Sequence, residues 1–399
     1  MKITELLVEG YRSLKGVVWR PGDLNVLIGP NGGGKSNLLR LCQLLQAAAC
    51  GRLAEWTQRE GGIIPMLWDG TAEEIKVAVS LVPEASGGGW YVYEVWLVPA
   101  PGSGIHRVGS ERLNSIRSKA YERRRESSIF KRTGSNTVVS NDRNWDTDSL
   151  AETITPEEAV LYAAGTGVSA QPAVRQARNI LADLAIYSNF STAHGSAARQ
   201  GAVVRHETRL DPRGENFVSV LHTLYTGSRD FKRDVDEAMR AAFGGDFDEL
   251  VFPPEADQRV QLRVRWKSMS REQSAADLSD GTLRFLQLLT ILANPKPPSL
   301  IAIDEPETGM HPAMQRIVAA LATDAAARTQ VVLTTHSPEF LDAFDETVPT
   351  VTVVEWDTGE GTTLRGLAGD ALAEWVRQFA LGEILRTNAA GAIETEEGG

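Results

Sequence analysis

Two cysteines in 399 residues, Cys42 and Cys50, with no histidine beside either, exclude a cysteine–histidine zinc cluster and a secreted disulfide framework. Both fall on or just past one helical stretch, where burial as small apolar side chains is expected. No apolar run reaches the length of a membrane span, and Met1 to Glu5 opens no signal-peptide core. The expected location is therefore the cytoplasm, with no membrane partner. Heptads are not sustained anywhere, which excludes a long coiled-coil arm, and no internal repeat occurs. Positive charge is also scarce: a net −11 argues against wholesale coating of nucleic acid. One segment departs from that balance. Between Arg107 and Arg132 nine basic residues meet three acidic ones, a local net of +6. Such a run serves either as a contact for DNA phosphates or as a solvated helix face.

What the chain does contain begins with Gly29-Pro30-Asn31-Gly32-Gly33-Gly34-Lys35-Ser36. The apolar run Leu24 to Ile28 before it predicts a buried strand, and Asn37 to Leu45 after it predicts a helix. This is the strand, loop and helix setting that a phosphate-binding loop requires. Glycines let backbone N–H groups converge on an anion, and the helix N-terminus adds partial positive charge. Lys35 would reach the β- and γ-phosphates of a nucleotide, and the Ser36 hydroxyl would take a Mg²⁺ position.

Three further motifs lie in the last third. Ser299 to Glu305 is a strand-length apolar run ending in Asp304 and Glu305. Asp304 could hold the water shell of Mg²⁺ and Glu305 could polarise an attacking water, the plainer alternative being an acidic helix cap. Leu278-Ser279-Asp280-Gly281-Thr282 opens an amphipathic helix, a second anion-binding end of serine and glycine donors. A chain with one phosphate loop has no use for it, whereas a second copy facing the first would. Gln330 to Pro338 reads as a strand ending at His336, placed to hydrogen-bond a γ-phosphate or the water, or else structural.

Earlier in the chain, Tyr11-Arg12-Ser13-Leu14 joins two predicted strands (Ile3 to Val8, Val17 to Trp19). Arg12 could hold the adenine and ribose end of a nucleotide, or the stretch is a surface turn. Gln58, in a polar break, is a candidate for sensing metal and water. Strands are expected at Glu74 to Leu81 and Trp90 to Val98, and loop or insertion chemistry from about 100 to 155. Helices are expected at Pro156 to Ala164, Ala173 to Ile186, Asn216 to Tyr225 and Phe231 to Ala242, with strands at Glu249 to Phe252 and Val260 to Trp266. A last strand pair (Val351 to Trp356, Thr362 to Leu367) and a helix (Ala371 to Leu385) close the chain.

The motif order GPNGGGKS, LSDGT, IDEPETGMHP, TTHSP resembles the ABC-type ATPase superfamily, and most of all its RecF- and OLD-like branch, related to SMC-type ATPases. The opening Ile3 to Leu14 is similar to that branch as well. The resemblance implies an α/β fold: a P-loop ABC-type ATPase head, a mixed sheet with a β-rich edge, carrying a large, mainly helical lid insertion. Its division would be an N-terminal lobe at 1–99, the insertion at 100–270 and a C-terminal lobe at 271–399. It further implies ATP and Mg²⁺ as cofactors and a homodimer, or higher oligomer, with ATP between the phosphate loop of one copy and the signature of the other. Carried over by position, Lys35 and Ser36 bind phosphate and Mg²⁺, in a nucleotide site made with Gly29, Pro30, Asn31, Gly32, Gly33, Gly34 and Asn37. Ser279 and Gly281 touch the other copy's γ-phosphate; Asp304 supports Mg²⁺; Glu305 is the general base and His336 the switch histidine. Arg12 at the nucleotide and Gln58 at the metal remain the candidates read from the residues themselves. Asp280 stands where many relatives have glycine. OLD-type relatives add a C-terminal Toprim nuclease. The 61 residues after Pro338 leave no room for one here, so a nuclease or other effector, with DNA, is expected as a separate partner in phage defence or DNA repair.

Overall fold

Alternating apolar residues in Lys2–Tyr11 (β1) and Leu14–Trp19 (β2) form an antiparallel pair, turned at Arg12-Ser13 with Arg12 at φ 46°. By contrast, every residue of Leu24–Ile28 (β3) is buried. The structure, a computed structural model, describes residues 2–83, 89–117, 125–134, 136–141, 144–146, 154–166, 171–344 and 347–379. After β3 come Lys35–Cys50 (α1) and Leu53–Arg59 (α2), then strands Ile75–Val82 (β4), Gly89–Pro99 (β5), His106–Arg117 (β6), Arg125–Thr133 (β7), Asn136–Asn141 (β8) and Asn144–Asp146 (β9). Val160–Thr166 (α3), Pro172–Ala182 (α4), Leu184–Tyr187 (β10), Ala202–Val203 (β11), Phe217–Gly227 (α5) and Arg229–Phe243 (α6) follow. Short strands Phe247–Val251 (β12), Arg259–Val260 (β13), Arg263–Trp266 (β14) and Gln273–Ser274 (β15) lead to Asp280–Leu292 (α7). The chain then runs through Leu300–Asp304 (β16), Pro312–Ala326 (α8), Gln330–Thr335 (β17), Pro338–Leu341 (α9), Thr350–Asp357 (β18) and Gly361–Leu367 (β19).

Two large sheets result. One is antiparallel, in the order β2-β1-β4-β5-β6-β7-β8-β9; the other is a six-stranded core, β10-β16-β17-β3-β18-β19, parallel except for its last strand. Strands β3, β16 and β17 are mostly apolar without alternation, Asn25 being the buried polar exception inside β3, because both their faces are covered. Leu27, Leu300, Ala302 and Val332 pack with α1, α3, α4 and the antiparallel sheet. Leu24, Val26, Ile301, Ile303, Val331 and Leu333 face the opposite layer, built from α5 to α8. Helix α1 is buried over most of its circumference because it lies between the two sheets.

The stretch from 100 to 155, expected as loop or insertion, is mostly sheet where it is described: after a turn at 100–105, β6 to β9 extend the antiparallel layer. Polar residues at inward positions conceal the strand period. Glu111, on the buried face of β6 with Leu113, accepts from the backbone N–H of Val160 at 2.6 Å and of Leu161 at 2.9 Å, and from Tyr93 Oη at 3.0 Å. It thereby caps α3 from the sheet. Burial pushes its carboxyl up to about 7. Arg132 is equally buried and donates to the carbonyls of Glu158 at 2.7 Å and Gly134 at 3.1 Å. A register shift at Leu113/Asn114 breaks the alternation again. The helices of the insertion gather between residues 160 and 243. The boundary expected at 100 falls between β5 and β6, neighbours in one sheet.

A second difference is β10. The expected helix Ala173 to Ile186 ends at Ala182, and Leu184–Tyr187 pairs parallel with β16. Short apolar runs do not separate helix from strand by period alone. Residues 371–379 are helical, and the rest of the expected last helix lies outside the described residues.

Candidate functional site

Parallel register gathers the three motif-bearing strand ends. Asp304 is level with Thr334, and Thr335 with Ile28, so the ends of β16, β17 and β3 open onto one edge of the core sheet. Crevices at such carboxyl ends are where open α/β sheets take ligands.

The loop from Gly29 to Gly34 is shaped by the β18–β19 hairpin behind it. A side chain at Gly29 would place its Cβ 2.0 Å from the Val354 carbonyl oxygen, and one at Gly34, where φ is 109°, would lie 2.1 Å from Thr362 Oγ1. Thr362 Oγ1 donates to the Gly33 carbonyl at 2.9 Å and is hydrogen-bonded to Ser13 Oγ at 2.8 Å, where the serine hydroxyl can supply the proton. Asn37 Nδ2 donates to the same Ser13 Oγ at 2.7 Å, which ties α1 to the β1–β2 turn. Asn31 and Gly32 are exposed. Lys35 is buried, its Nζ on the carbonyls of Gly29 at 2.6 Å and Pro30 at 3.0 Å. Burial lowers its pKa, opposed by the charges of Glu305, Asp304 and Glu307.

Ser36 Oγ donates to Asp304 Oδ2 at 3.0 Å, while Thr334 Oγ1 donates to the other carboxylate oxygen. A hydroxyl and a carboxylate at the mouth of a phosphate cradle fit a hard divalent cation whose remaining ligands are water and phosphate. Among the described residues no group of three or more His, Cys, Asp or Glu side chains could hold a metal by itself.

Glu305 is held in the left-handed region at φ 48°, a conformation costing about 1–3 kcal/mol outside glycine. Its backbone N–H donates to Thr334 O at 3.2 Å and Oγ1 at 3.1 Å, and its carbonyl accepts from Arg284 Nη2 at 2.6 Å. The strain aims the side chain out of the strand line. His336 Nδ1 lies 3.2 Å from Glu305 Oε1, both side chains partly open to solvent, at ion-pair distance but without hydrogen-bond geometry. Behind them Glu307 is buried, accepts from Thr335 Oγ1 at 2.5 Å and leaves Oε2 without a partner; burial raises its pKa.

Lys35, Ser36, Asp304, Glu305 and His336 are thus brought to one edge. Arg12 pairs with Glu60, and its guanidinium lies 5.9 Å from the Tyr11 ring centre. With Ser13, Trp68 and Trp356 it lines a cleft of about 770 Å³ that adjoins the loop. The two tryptophan rings are 5.7 Å apart, and Trp356, half exposed, also lines a recess with Pro30, Asn31 and Gly33. Gln58 is not brought in: its side chain is exposed on α2, and its carbonyl accepts from Gly61 N–H at 3.1 Å. Ser279 caps α7, accepting from Thr282 N–H at 3.1 Å, and Gly281 packs on the Gly309 carbonyl. Among the described residues none of their hydrogen bonds reaches the phosphate loop. Thr362, Trp356, Arg284 and Glu307 were not singled out from sequence. Only Glu307, two residues past Glu305, carried a local signal.

A family model described as "AAA domain, putative AbiEii toxin, Type IV TA system" matches residues 119–342. No curated protein matches the chain. Among solved structures, an SMC head bound to the C-winged helix domain of ScpA superposes with a TM-score of 0.52 at 14% identity, over 94% of this chain and 100% of that one. The SMC head domain from Thermotoga maritima gives 0.43 at 13%, over 92% and 100%. A Pyrococcus furiosus Smc head with extended coiled coil, bound to the C-terminal domain of ScpA, gives 0.47 at 13%, over 96% and 99%. At these identities the first likeness is one of fold, and it is the fold described above. With a match across more than half its length, the chain belongs to that AAA-domain family.

Proposed function

We propose that this chain is an ATP-hydrolysing molecular switch of the RecF- and OLD-like type. ATP closes a head-to-head homodimer, and the closed form acts on DNA or controls a separately encoded nuclease or other effector, in phage defence or DNA repair. The observation that carries the reading is the divided site: Lys35, Ser36, Asp304, Glu305 and His336 converge, whereas among the described residues Ser279 bonds within α7 and Gly281 packs on the Gly309 carbonyl, away from the phosphate loop. In this reading Lys35 leaves the carbonyls of Gly29 and Pro30 for the β- and γ-phosphates. Glu305 takes a proton from water, and His336 orients Glu305 or the phosphate. Mg²⁺, held through Ser36 and Asp304, would neutralise charge on the phosphate oxygens.

The nucleobase has a natural seat on Trp356. Replacing Trp356 by Ala is expected to weaken ATP binding by roughly tenfold, since base–aromatic stacking is worth about 1–3 kcal/mol. Titration with a fluorescent ATP analogue measures it; an unchanged Kd would put the base elsewhere.

A second reading is an ATP-dependent oligomeric scaffold that presents a partner protein without acting on DNA. The family description names a putative AbiEii toxin of a Type IV TA system, and the SMC head that superposes at 0.52 is bound to a ScpA domain, which favours it. Within the basic segment, moreover, Arg132 is spent on carbonyls and Arg112 on Glu94, while Arg123 and Arg124 lie outside the described residues. Replacing Arg123, Arg124 and Arg125 together decides between the two. Loss of DNA binding with a flatter salt dependence supports the DNA switch; unchanged DNA binding with loss of a co-purifying partner supports the scaffold.

A further inference from the structure

An acidic residue directly after the signature serine is at odds with a site meant to face phosphate, because like charges brought together across an interface cost several kcal/mol. Asp280 is open to solvent, its side chain 72% exposed. Its carboxylate is nonetheless not free. Arg199, 81 positions earlier in the short turn Ala197–Arg199, donates from Nη2 to Asp280 Oδ1 at 2.6 Å, and only 8% of the arginine side chain is exposed. The rest of the guanidinium is used on neighbouring backbone. Nη1 donates to the carbonyls of Leu278 at 2.7 Å and Ala276 at 2.9 Å, and Nε to Thr192 at 2.6 Å. A planar fork with five donors makes this possible where a lysine could not. Arg199, with Thr192 adding to it, also holds the Asp280 carboxyl below the usual carboxylate range.

We infer that Arg199 is a positioning residue of the shared nucleotide site. It neutralises Asp280 and fixes the backbone leading into α7, so that Ser279 and the helix N-terminus offer donors, not an unpaired carboxylate, to the γ-phosphate on a second copy. The inference rests on the ATP-closed dimer proposed above.

Sedimentation velocity with AMP-PNP and Mg²⁺ tests it on five proteins: wild type, Arg199→Ala, Arg199→Gln, Asp280→Asn and Arg199→Gln/Asp280→Asn. Arg199→Gln keeps an amide donor for the carbonyls and loses the charge, which guards against a folding defect in the alanine variant. Both Arg199 single variants are expected to need roughly tenfold more protein to dimerise. Analogue binding to the monomer should stay unchanged. Asp280→Asn alone should dimerise at least as well as wild type, and the double variant should return close to it. A double variant as weak as Arg199→Gln, or an Arg199→Gln that dimerises normally, overturns the inference. Wild-type protein that stays monomeric with AMP-PNP overturns the shared-site reading beneath it, and the wild-type sample alone shows that.

Discussion

Glu305→Gln is expected to lower kcat for ATP hydrolysis by about 10²–10⁴, the usual contribution of a positioned general base. ATP binding should be intact and the nucleotide-bound dimer should accumulate. The amide is isosteric, so the left-handed backbone, the two Thr334 contacts and the Arg284 contact to the carbonyl all stay in place. What is lost is the ability to accept a proton. Single-turnover hydrolysis and light scattering in the presence of ATP measure the two halves of the expectation. Hydrolysis at the wild-type rate would remove Glu305 from its role, and His336 or the buried Glu307 would then have to be considered as the base.

Ser279→Arg is expected to abolish ATP-driven dimerisation and the hydrolysis that depends on it. The substitution removes the cap that accepts from Thr282 N–H, at a cost of about 1 kcal/mol to α7, and places a long cation where a phosphate should dock. Binding of ATP to the single chain should persist, because the phosphate loop lies elsewhere. Mixing makes the test sharper. A Lys35→Met protein has an intact signature and a damaged loop; Ser279→Arg has the reverse. Combined, they should form one complete site per heterodimer and recover activity that neither shows alone. Recovery requires that the two halves come from different copies, and a mixture as inactive as its components refutes the shared site.

Legibility in the sequence followed how local the chemistry is. The phosphate loop, the Asp304-Glu305 pair and His336 each sit at the end of an apolar strand, and residue type plus flank was enough to read them. Their convergence needed only that β16, β17 and β3 lie side by side. The antiparallel extension β6 to β9 was hidden because Glu111 and Arg132 take inward positions and satisfy themselves with backbone groups of residues 155–161. No window of neighbouring residues contains that information. Arg199 was invisible for the same reason: its meaning depends on Asp280, and Asp280 read alone looks like a misplaced charge. Gln58 shows the converse. A residue type suited to metal and water sensing was present, but α2 turns its side chain outward.

The dependence of the phosphate loop on the β18–β19 hairpin has a consequence for synthesis. Gly33 and the Thr362 hydroxyl that holds it are 329 positions apart, and both neighbours of β3 in the core sheet, β17 and β18, come from the last quarter of the chain. During translation the most apolar N-terminal strand therefore leaves the ribosome with no partner and waits for most of the protein to follow. Long-range pairing of this kind is slow and leaves strand edges open to aggregation. It also delays function: a nascent chain bearing Lys35 and Ser36 has no cradle for a nucleotide until the hairpin closes behind Gly29, so ATP capture comes only after the core sheet is complete.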